Sequence, residues 1–447
     1  MRLLDPVAED NVVTNEILRA IHRGDPALIV DSPPGAGKTT LGTKIAATAA
    51  GLLKESIMVA TWTNRQAIDF AHRTARTYPR VPVTLFLKEK LAMLVPDSLF
   101  KRTNFQVINS APNLPPGGVI VSNASKWTAS EVPYHYDWLL VDEAYQIPEY
   151  RFRRLAPMGD RYVLVGDPGQ IAPLIQSDTS LWGCDPDGPH VPCTTAALAR
   201  HDLEIFNLPV SWRLPADTAR LVRDAFYDFH FTSGDPEGLR ALSLSPRSGR
   251  PADDVLDTLV ASDGSIAVAI LDDDKIATNV DPELAEFAAE SVAALLGREA
   301  VTTDEKGRSH KLAPADIGVV TAHRAQVTEI DKRLRAKGVH TGEGGTVVET
   351  TERWQGLERK VMVVHHPLAG LNSLSSFDLD RGRLCVMLSR HQTACLLIAR
   401  QGTEEALQNH PHEGQRFAGA LDGEFLGWRA HRKIWARLGQ ADRLIVS

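Results

Sequence analysis

Residues 32–39 read Ser-Pro-Pro-Gly-Ala-Gly-Lys-Thr, the pattern with the most definite chemistry in the chain. An apolar run precedes them at 27–31 and a helical pattern follows, which is the context that a phosphate-binding loop requires. In such a turn, consecutive backbone N–H groups and the helix N-terminus hold a chain of phosphates. Lys38 would reach the β- and γ-phosphates, and the Thr39 hydroxyl would bind Mg²⁺.

The residues expected to surround the phosphates form one continuous stretch: Pro34, Gly35, Ala36, Gly37, Lys38, Thr39 and Thr40. Ser32 stands where the usual pattern has glycine. The alternative is a glycine-rich turn without a ligand, and Gly-Lys-Thr between a strand and a helix disfavours it. The loop predicts a bound nucleoside triphosphate and Mg²⁺, but not the use to which the nucleotide is put.

Two acidic residues, Asp142 and Glu143, end the apolar run Trp-Leu-Leu-Val at 138–141. We expect Asp142 to bind Mg²⁺ through oxygen and Glu143 to orient and deprotonate the attacking water. Adjacent carboxylates at the end of a buried strand are costly without a cation, which disfavours a merely solvated turn. Gln170, in Gly-Asp-Pro-Gly-Gln after the next predicted strand, would contact the γ-phosphate, because ligands lie at the carboxyl ends of such strands.

The order GKT, DEAYQ, GDPGQ resembles the motifs of superfamily 1 helicases. Residues 208–213 resemble the arginine segment of motif IV, and 318–326 resemble the strand-plus-threonine segment of the second motor domain. Residues 354–358 and 384–390 resemble motifs V and VI, so that the resemblance covers about residues 15–399. DEAYQ and the Gln-Gly of motif V are similar to the 1B branch of the nonsense-mediated-decay helicase, whereas motif Ia and the Gly-Leu-Glu of motif V have UvrD/PcrA-like features.

The resemblance implies further nucleotide contacts. Arg213 and Arg390 would be arginine fingers that reach the γ-phosphate from the second domain, because guanidinium offers fixed donors to developing phosphate charge. The alternative for either arginine is a surface salt bridge. Glu358 would contact the ribose, and Asn15 occupies the position of the family's adenine-reading glutamine.

The resemblance also implies contacts with a nucleic-acid strand. Thr61, Trp62 and Asn64 match motif Ia, where the family binds strand phosphates and an aromatic ring stacks on a base. The alternative for Trp62 is an ordinary core residue. Further candidates are Thr321, Gln355, Ser122 and Trp127.

Short apolar runs alternate with helical patterns, which predicts a parallel α/β fold. With the resemblance, we expect two tandem RecA-like P-loop NTPase domains with parallel sheets and the ATP site in the cleft between them. Their bounds would be 1–207, with a small insert at 79–116, and 208–447, with an irregular stretch at 234–264 and a helical extension at 424–438. Predicted helices include 282–296 and 324–337. The predicted strands are 27–31, 57–61, 119–122, 138–141, 162–166, 266–271, 317–321, 346–349, 360–364 and 395–399.

The composition sets outer limits on function and location. The net charge of −7 excludes a generally basic surface, so binding of a polyanion would need a local basic groove. The four cysteines have no C-x-x-C spacing, and Cys184, His190 and Cys193 are better explained as loop residues than as metal ligands. Neither a signal-peptide pattern nor a long apolar run is present, and we expect a cytoplasmic protein without a membrane partner.

Taken together, these patterns predict a helicase or translocase that uses ATP and Mg²⁺ to move along single-stranded nucleic acid. We favour DNA over RNA and movement from 5′ to 3′, both by analogy with the family. The alternative is an ATP-gated clamp or scaffold that binds nucleic acid or a protein partner without unwinding. Glu143 and the two arginine fingers favour turnover over this alternative. A P-loop kinase would leave the motifs of the second domain unexplained.

Overall fold

The computed structural model describes residues 5–175, 177–182, 185–247, 249–261, 264–272, 280–371, 374–410, 423–441 and 443–446. The chain divides into two compact units, and each is described by itself. The first comprises Met1–Pro168 and Ala172–Val210, and the second comprises Gly169–Ile171 and Ser211–Ser447. Among the described residues, no helix is both long and apolar enough to cross a membrane.

The first unit is built from eight strands and seven α-helices within its described residues. The strands are β1 (Ala27–Asp31), β2 (Ile57–Thr61), β3 (Val83–Phe86), β4 (Phe105–Ile108), β5 (Val119–Asn123), β6 (Tyr136–Asp142), β7 (Gly159–Gly166) and β8 (Glu204–Asn207). The helices are α1 (Pro6–Arg23), α2 (Lys38–Ala47), α3 (Asn64–Thr77), α4 (Asp97–Phe100), α5 (Ala124–Thr128), α6 (Glu149–Leu155) and α7 (Cys193–Arg200).

The strands of the first unit form one parallel sheet in the order β4-β3-β5-β2-β6-β7-β1-β8. The register pairs Asp31 of β1 with Gly166 of β7, and Asp142 of β6 with Val165 of β7. The carboxyl ends of β6, β7 and β1 therefore lie side by side. The loops that follow these strands emerge at one edge of the sheet, where ligands bind in folds of this kind.

Each central strand is apolar on both faces because helices cover both sides of the sheet. In β1, Leu28 and Val30 belong to one buried cluster and Ile29 to another. β6 alternates in the same way, with Leu140 in the first cluster and Leu139 in the second. Burial of each such side chain stabilises the fold by about 1.5–3 kcal/mol. A strand covered on both faces therefore has a continuous apolar sequence, and this allowed these strands to be predicted.

The second unit contains a second parallel sheet. The strands are β9 (Val210–Ser211), β10 (Thr232–Ser233), β11 (Leu242–Ser243), β12 (Ile266–Leu271), β13 (Val301–Thr303), β14 (Ser309–Lys311), β15 (Ile317–Thr321), β16 (Val347–Thr350), β17 (Arg359–His365), β18 (His391–Arg400) and β19 (Leu444–Val446). The helices are α8 (Ala216–Phe226), α9 (Asp253–Ala261), α10 (Pro282–Gly297), α11 (Arg324–Ala336), α12 (Arg381–Leu388), α13 (Thr403–Asn409) and α14 (Gly423–Gln440). The parallel sheet has the order β16-β15-β17-β18-β12-β19, and β11, β13 and β14 form a small antiparallel sheet.

The predicted α/β class with parallel sheets is confirmed, and every predicted strand is present. The stretch 79–116 contributes β3 and β4 to the main sheet, so the sheet continues through the predicted insert. The stretch 234–264 was predicted to be irregular, but its described part contains α9, whose Leu256 and Leu259 are buried in the core of the second unit. The domain bounds 1–207 and 208–447 remain predictions.

A buried ion pair connects β18 to α10 in the second unit. The guanidinium of Arg400 is fully buried and donates to both carboxylate oxygens of Asp281, from Nε at 2.8 Å and from Nη2 at 3.0 Å. The same carboxylate caps α10 by accepting from the backbone N–H of Glu283 and of Leu284, each at 3.1 Å. Burial alone would raise the pKa of Asp281, but the charge and hydrogen bonds of Arg400 outweigh it and hold that pKa below its ordinary value.

We predict that Asp281→Ala destabilises the second unit by about 3 kcal/mol, because it removes a helix cap and the two carboxylate oxygens that contact the buried guanidinium. The partly exposed carboxylate of Glu283, 2.8 Å from Nη2 of Arg400, remains as a counter-charge. The measurement is urea unfolding followed by circular dichroism. The matched control is Asp331→Ala, since the i,i+4 pair of Asp331 with Arg335, at 3.0 Å, is accessible to solvent. The control should change stability by less than about 1 kcal/mol. Equal shifts of the unfolding midpoint for the two variants would contradict the assignment.

Candidate active site

The loop between β1 and α2 has the backbone geometry of an anion cradle. Gly35 and Gly37 have φ angles of +77° and +85°, which side chains with a Cβ rarely adopt. The first hydrogen bond within α2 runs from the N–H of Leu41 to the carbonyl of Gly37 at 3.0 Å. The N–H groups of the residues that begin the helix therefore precede its hydrogen-bond ladder and are suited to phosphate oxygens.

The same loop is fixed to the neighbouring strand. The N–H of Ser32, which is fully buried, donates to the carbonyl of Gly166 at the end of β7 at 2.9 Å. This bond continues the β1–β7 pairing into the loop. It therefore fixes the start of the phosphate-binding loop next to the carboxyl end of β7.

Lys38 and Glu143, which the sequence assigned to separate motifs, form an ion pair. The ammonium Nζ of Lys38 lies 3.0 Å from Oε2 of Glu143, and the two side chains are only 12% and 13% exposed. The amide of Gln146 donates to the same oxygen at 3.3 Å. Glu143 has a φ of +59°, an uncommon left-handed backbone conformation that ends β6 sharply. The predicted phosphate-binding lysine and the predicted catalytic base are therefore in direct contact.

Three carboxylates surround this lysine. Burial alone would lower the pKa of the Lys38 ammonium. The negative charges of Glu143, Asp167 and Asp142 outweigh burial and hold that pKa above its ordinary value. Burial, and then the charge of Glu143, raises the pKa of Asp142 to about 7 despite the opposing charge of Lys38. The site thus holds more negative than positive charge, which favours the binding of a further cation.

The residues predicted to bind Mg²⁺ fit that ion. Asp142 is 4% exposed at the carboxyl end of β6, and Thr39 lies in the first turn of α2. Among the described residues, no group of three His, Cys, Asp or Glu side chains could hold a metal ion alone. One carboxylate and one hydroxyl are the usual protein share of a Mg²⁺ site in which phosphates supply other ligands.

Asp167 and Tyr145 belong to this site and were not anticipated. Asp167 is 1% exposed and follows β7, which lies between β6 and β1 in the sheet. The hydroxyl of Tyr145 donates to Oδ1 of Asp31 at 2.8 Å, and burial followed by the charge of Asp31 raises the pKa of Tyr145. A Cβ on Gly166 would lie 2.7 Å from the ring of Tyr145, so this glycine allows the close approach. The first aspartate of GDPGQ, emerging beside the DEAYQ strand, was the signal that could have identified Asp167.

Gln170 lies in the second unit together with Arg390. Nη2 of Arg390 donates to Oε1 of Gln170 at 2.9 Å, and Arg390 is only 2% exposed. The backbone of Gln170 passes so close to α12 that a Cβ on Gly382 would lie 2.5 Å from its carbonyl oxygen. The structure therefore joins the last residue of GDPGQ to one of the two predicted arginine fingers.

The other predicted finger, Arg213, forms an ion pair with Glu358. Nη1 of Arg213 also donates to the carbonyl of Ser389 at 3.2 Å, and the amide of Gln392 donates to Glu358 at 2.9 Å. Burial would raise the pKa of Glu358, but Arg213 outweighs it and holds that pKa below its ordinary value. Arg213 and Glu358 thus adjoin the segment that carries Arg390, whereas Asn15 lies exposed on α1 of the first unit.

Two of the predicted strand-contacting residues are corrected to core residues. Trp127 is fully buried, and its indole N–H donates to the carbonyl of Val59 at 2.9 Å. Ser122 is also fully buried and donates to the carbonyl of Phe86 at 2.6 Å. Because neither side chain reaches the surface, neither is available to stack on a base or bind a phosphate.

The remaining strand-contacting candidates differ in exposure. Thr61 and Thr321 are fully buried at the carboxyl ends of β2 and β15. Their hydroxyls are engaged, with Thr61 donating to the carbonyl of Thr63 at 2.9 Å and Thr321 lying 3.0 Å from Nδ1 of His365. The partly exposed candidates are Trp62, Asn64 and Gln355.

Of the two cysteines that were explained as loop residues, Cys193 instead begins α7. Cys184 lies outside the described residues. The buried thiol of Cys193 donates to the carbonyl of Ala144 at 3.2 Å, and burial raises its pKa.

Two family profiles, both described as AAA domain, match the chain, one over residues 15–176 and the other over 196–402. A curated relative, the DNA replication ATP-dependent helicase/nuclease dna2 of Schizosaccharomyces pombe, is 22% identical over 426 residues. That alignment covers 90% of this chain and 28% of the relative. The chain therefore spans less than a third of the length of this relative.

Solved structures with similarity include the arterivirus nonstructural protein 10 helicase, at 13% identity and a TM-score of 0.44, covering 89% of this chain and 64% of that one. Its complex with DNA has 14% identity and a TM-score of 0.43, covering 87% and 63%. The PRRSV helicase has 14% identity and a TM-score of 0.42, covering 90% and 58%. The chain spans less than two thirds of each of these proteins.

The two profile matches follow the order of the motifs. The first contains the phosphate loop, DEAYQ and GDPGQ, and the second contains Arg213, the segment 318–326 and the segments that resemble motifs V and VI. Each match contains one of the two parallel sheets in large part, as expected for two tandem RecA-like domains. With its ordered motifs, its two matched domains and its helicase relative, the chain belongs to superfamily 1 of the helicases.

Proposed function

We propose that this protein hydrolyses ATP with Mg²⁺ and uses the energy to move along single-stranded nucleic acid. The observation that carries the proposal is the ion pair between Lys38 and Glu143, 3.0 Å long, beside the buried carboxylate of Asp142. A phosphate-binding lysine, a general base and a metal-binding carboxylate are the groups that hydrolysis of a nucleoside triphosphate requires.

The ion pair supports an exchange of partners on nucleotide binding. Without nucleotide, Lys38 neutralises Glu143. A γ-phosphate would compete for the ammonium and release the Glu143 carboxylate, which could then accept a proton from the attacking water. Mg²⁺ held by Thr39 and Asp142 would neutralise charge on the phosphate oxygens. Glu143 would thus be free to act as a base chiefly when a triphosphate is bound.

The second unit would supply the donors that stabilise the transition state. We assign this role to Arg213 and Arg390, whose guanidinium groups offer fixed N–H donors to phosphate oxygens. The bond from Arg390 to Gln170, at 2.9 Å, supports a role for Gln170 in placing that arginine. Glu358, which orients Arg213 in this structure, would also contact the ribose, and Asn15 would lie near the base.

We propose that the polymer is single-stranded DNA and that the protein moves along it from 5′ to 3′. The preference for DNA is supported by the relative described as a DNA replication helicase/nuclease, and the direction by the resemblance to the 1B branch. Asn64 and Gln355 remain the proposed contacts with the strand, with Trp62 as a supporting residue. Thr61 and Thr321 are as fully buried as Ser122 and Trp127 and are not proposed as contacts. An ATP-gated clamp is the competing proposal, and stimulation of hydrolysis by the polymer separates the two.

We predict that single-stranded DNA accelerates ATP hydrolysis and that Glu143→Gln lowers kcat at least about 100-fold, since it removes the general base. The measurement is steady-state hydrolysis without polymer, with single-stranded DNA and with single-stranded RNA. Glu143→Gln should still bind nucleotide, whereas Lys38→Ala should lose nucleotide affinity. Glu131→Gln is the matched control, because Glu131 is an exposed glutamate of the same unit.

Turnover that is equal with and without either polymer would contradict the motor and support the clamp. Stronger stimulation by RNA would retain the motor and reverse the choice of polymer. Hydrolysis by Glu143→Gln at the rate of the control variant would remove Glu143 from the mechanism.

A second prediction concerns pH. Since the pKa of Asp142 is raised to about 7, protonation below that pH removes the carboxylate that would bind Mg²⁺. Affinity for a fluorescent ADP analogue in the presence of Mg²⁺ should therefore fall as the pH decreases from about 8 to about 6. Glu143→Gln should move this transition to lower pH, because the charge of Glu143 contributes to the raised pKa of Asp142.

The control for this measurement is the same titration with excess EDTA, in which the transition should disappear. The prediction fails if the transition stays in place in Glu143→Gln, or moves to higher pH.

A further inference from the structure

Helix α6 follows the acidic pair and presents arginines with contrasting partners. Nε of Arg153 donates to the Glu149 carboxylate at 2.9 Å in an i,i+4 ion pair. Arg151 instead contacts two neutral oxygens, donating to Oγ of Ser125 at 3.2 Å and to the Tyr150 hydroxyl at 3.3 Å. Within the described part of the chain, Arg151 has no carboxylate partner. Because its charge is not neutralised by a neighbouring carboxylate, this guanidinium can bind an anionic ligand.

The guanidinium of Arg151 lies close to two aromatic rings. Its Cζ is 5.1 Å from the ring centroid of Trp62 and 5.7 Å from that of Tyr150. Trp62 is partly buried against a core cluster, whereas Tyr150 is 44% exposed. Cation–π attraction and the two hydrogen bonds hold the guanidinium in one place before any ligand arrives. The indole of Trp62, predicted to stack on a base, is occupied by an arginine in this structure.

The guanidinium keeps hydrogen-bonding capacity. An arginine has five N–H donors in a planar fork, and the two contacts to Ser125 and Tyr150 leave donors for a ligand. A phosphate group matches this fork and can accept two parallel bonds from it. Since the guanidinium is already ordered, less conformational entropy is lost on binding than for a free surface arginine.

The position of Arg151 on the sheet suits a strand that crosses the carboxyl edge. β5, β2 and β6 are neighbours in the first sheet, and Ser125, Trp62 and α6 follow their carboxyl ends. The amide of Asn123, at the end of β5, donates to Oδ1 of Asn64, which follows β2. This bond connects the segment that carries Ser125 to the segment that carries Trp62, and both of these side chains contact Arg151.

Two further cations on the same surface also lack carboxylate partners within the described residues. Nη2 of Arg154 donates to the carbonyl of Thr128, and Nζ of Lys126 donates to the carbonyl of Asn109 at 3.0 Å. Burial, and then the charge of Lys88, lowers the pKa of Lys126, so a second cation lies near this lysine. In a chain with a net charge of −7, this is the local basic surface that binding of a polyanion requires.

We propose that Arg151 is a phosphate-binding residue for the backbone of single-stranded nucleic acid. In this proposal Trp62 and Tyr150 position its guanidinium, and Lys126 and Arg154 extend the basic surface along the strand. Trp62 thus acts through Arg151 and does not stack on a base. The inference rests on the proposed function in one respect, that a nucleic-acid strand is the ligand.

The test compares Arg151→Gln with Arg153→Gln, because the two arginines lie on the same short helix and differ in having a carboxylate partner. Binding of fluorescein-labelled single-stranded DNA and RNA oligonucleotides to the full chain is measured by anisotropy, without nucleotide and over a range of salt concentrations. Arg151→Gln should weaken binding about tenfold at low salt, as expected for the loss of one charge-assisted contact. It should also reduce the slope of log affinity against log salt by about 0.7, whereas Arg153→Gln should leave both within error of the unmodified chain.

Two further variants test the positioning role. Arg151→Lys should keep the salt slope and lose part of the affinity, because it keeps the charge and loses the fork. Trp62→Ala should weaken binding no more than Arg151→Gln, and the double variant should be no weaker than Arg151→Gln alone. An oligonucleotide that contains abasic sites should show the same loss with Arg151→Gln, since the contact is to phosphate.

Affinity and salt slope unchanged in Arg151→Gln, with tight binding by the unmodified chain, would overturn this inference and leave the proposed function in place. Failure of the unmodified chain to bind either oligonucleotide would overturn both. If Trp62→Ala lost more affinity than Arg151→Gln, and if this difference disappeared with an oligonucleotide that contains abasic sites, Trp62 would be shown to stack on a base. That result would overturn the role assigned to Trp62.

Discussion

The excess of negative charge at the carboxyl edge of the first sheet is the constraint on which the rest of the site depends. Asp142, Glu143 and Asp167 converge on the single ammonium of Lys38, and almost no water reaches them. In such surroundings like charges repel strongly, so one carboxylate takes up a proton readily while the ammonium resists losing its own. In the proposed function, this charge distribution would favour a ligand that carries both a divalent cation and phosphates.

This concentration of charge follows from the strand order and register. β7 lies between β6 and β1 in the sheet. Because Asp142 pairs with Val165 and Asp31 pairs with Gly166, the loops that follow these three strands begin side by side at the same edge of the sheet. The small size of Gly166 and the bond from Tyr145 to Asp31 then keep these loops close together. Apolar cores on both faces hold these strands in register, and their polar ends therefore lie close together.

The strands and the nucleotide-binding motifs were predictable because each is a local pattern. A buried parallel strand needs a continuous apolar run, and a phosphate loop needs glycine, lysine and threonine at fixed spacing. The orientation of single polar or aromatic residues was not predictable in this way. Ser122 lies on β5, which is covered on both faces, and Trp127 lies on the side of α5 that meets the sheet, so both were wrongly assigned to the surface.

The contacts that the sequence did not reveal join residues far apart in the chain. Arg151 follows Trp62 by 89 positions in the sequence, and nothing in either segment indicates that a guanidinium lies over that indole. β3 and β4 were missed as sheet strands because they are short and their flanking segments are rich in turn residues. The partners of Gln170 could not be assigned either, since its motif gives no indication that it lies in the second unit.

The placement of Gly169–Ile171 in the second unit has a consequence for how this protein can be divided. Ile171 is 3% exposed in a core cluster with Leu214 and Phe226, and a Cβ on Gly169 would lie 2.4 Å from the ring of Tyr227. The chain thus passes from one unit to the other three times, after Pro168, Ile171 and Val210. A cut after Val210 would separate the second half from part of its own core. The two units are therefore interleaved along the chain, and residues 211–447 alone lack a segment that belongs to the core of the second unit.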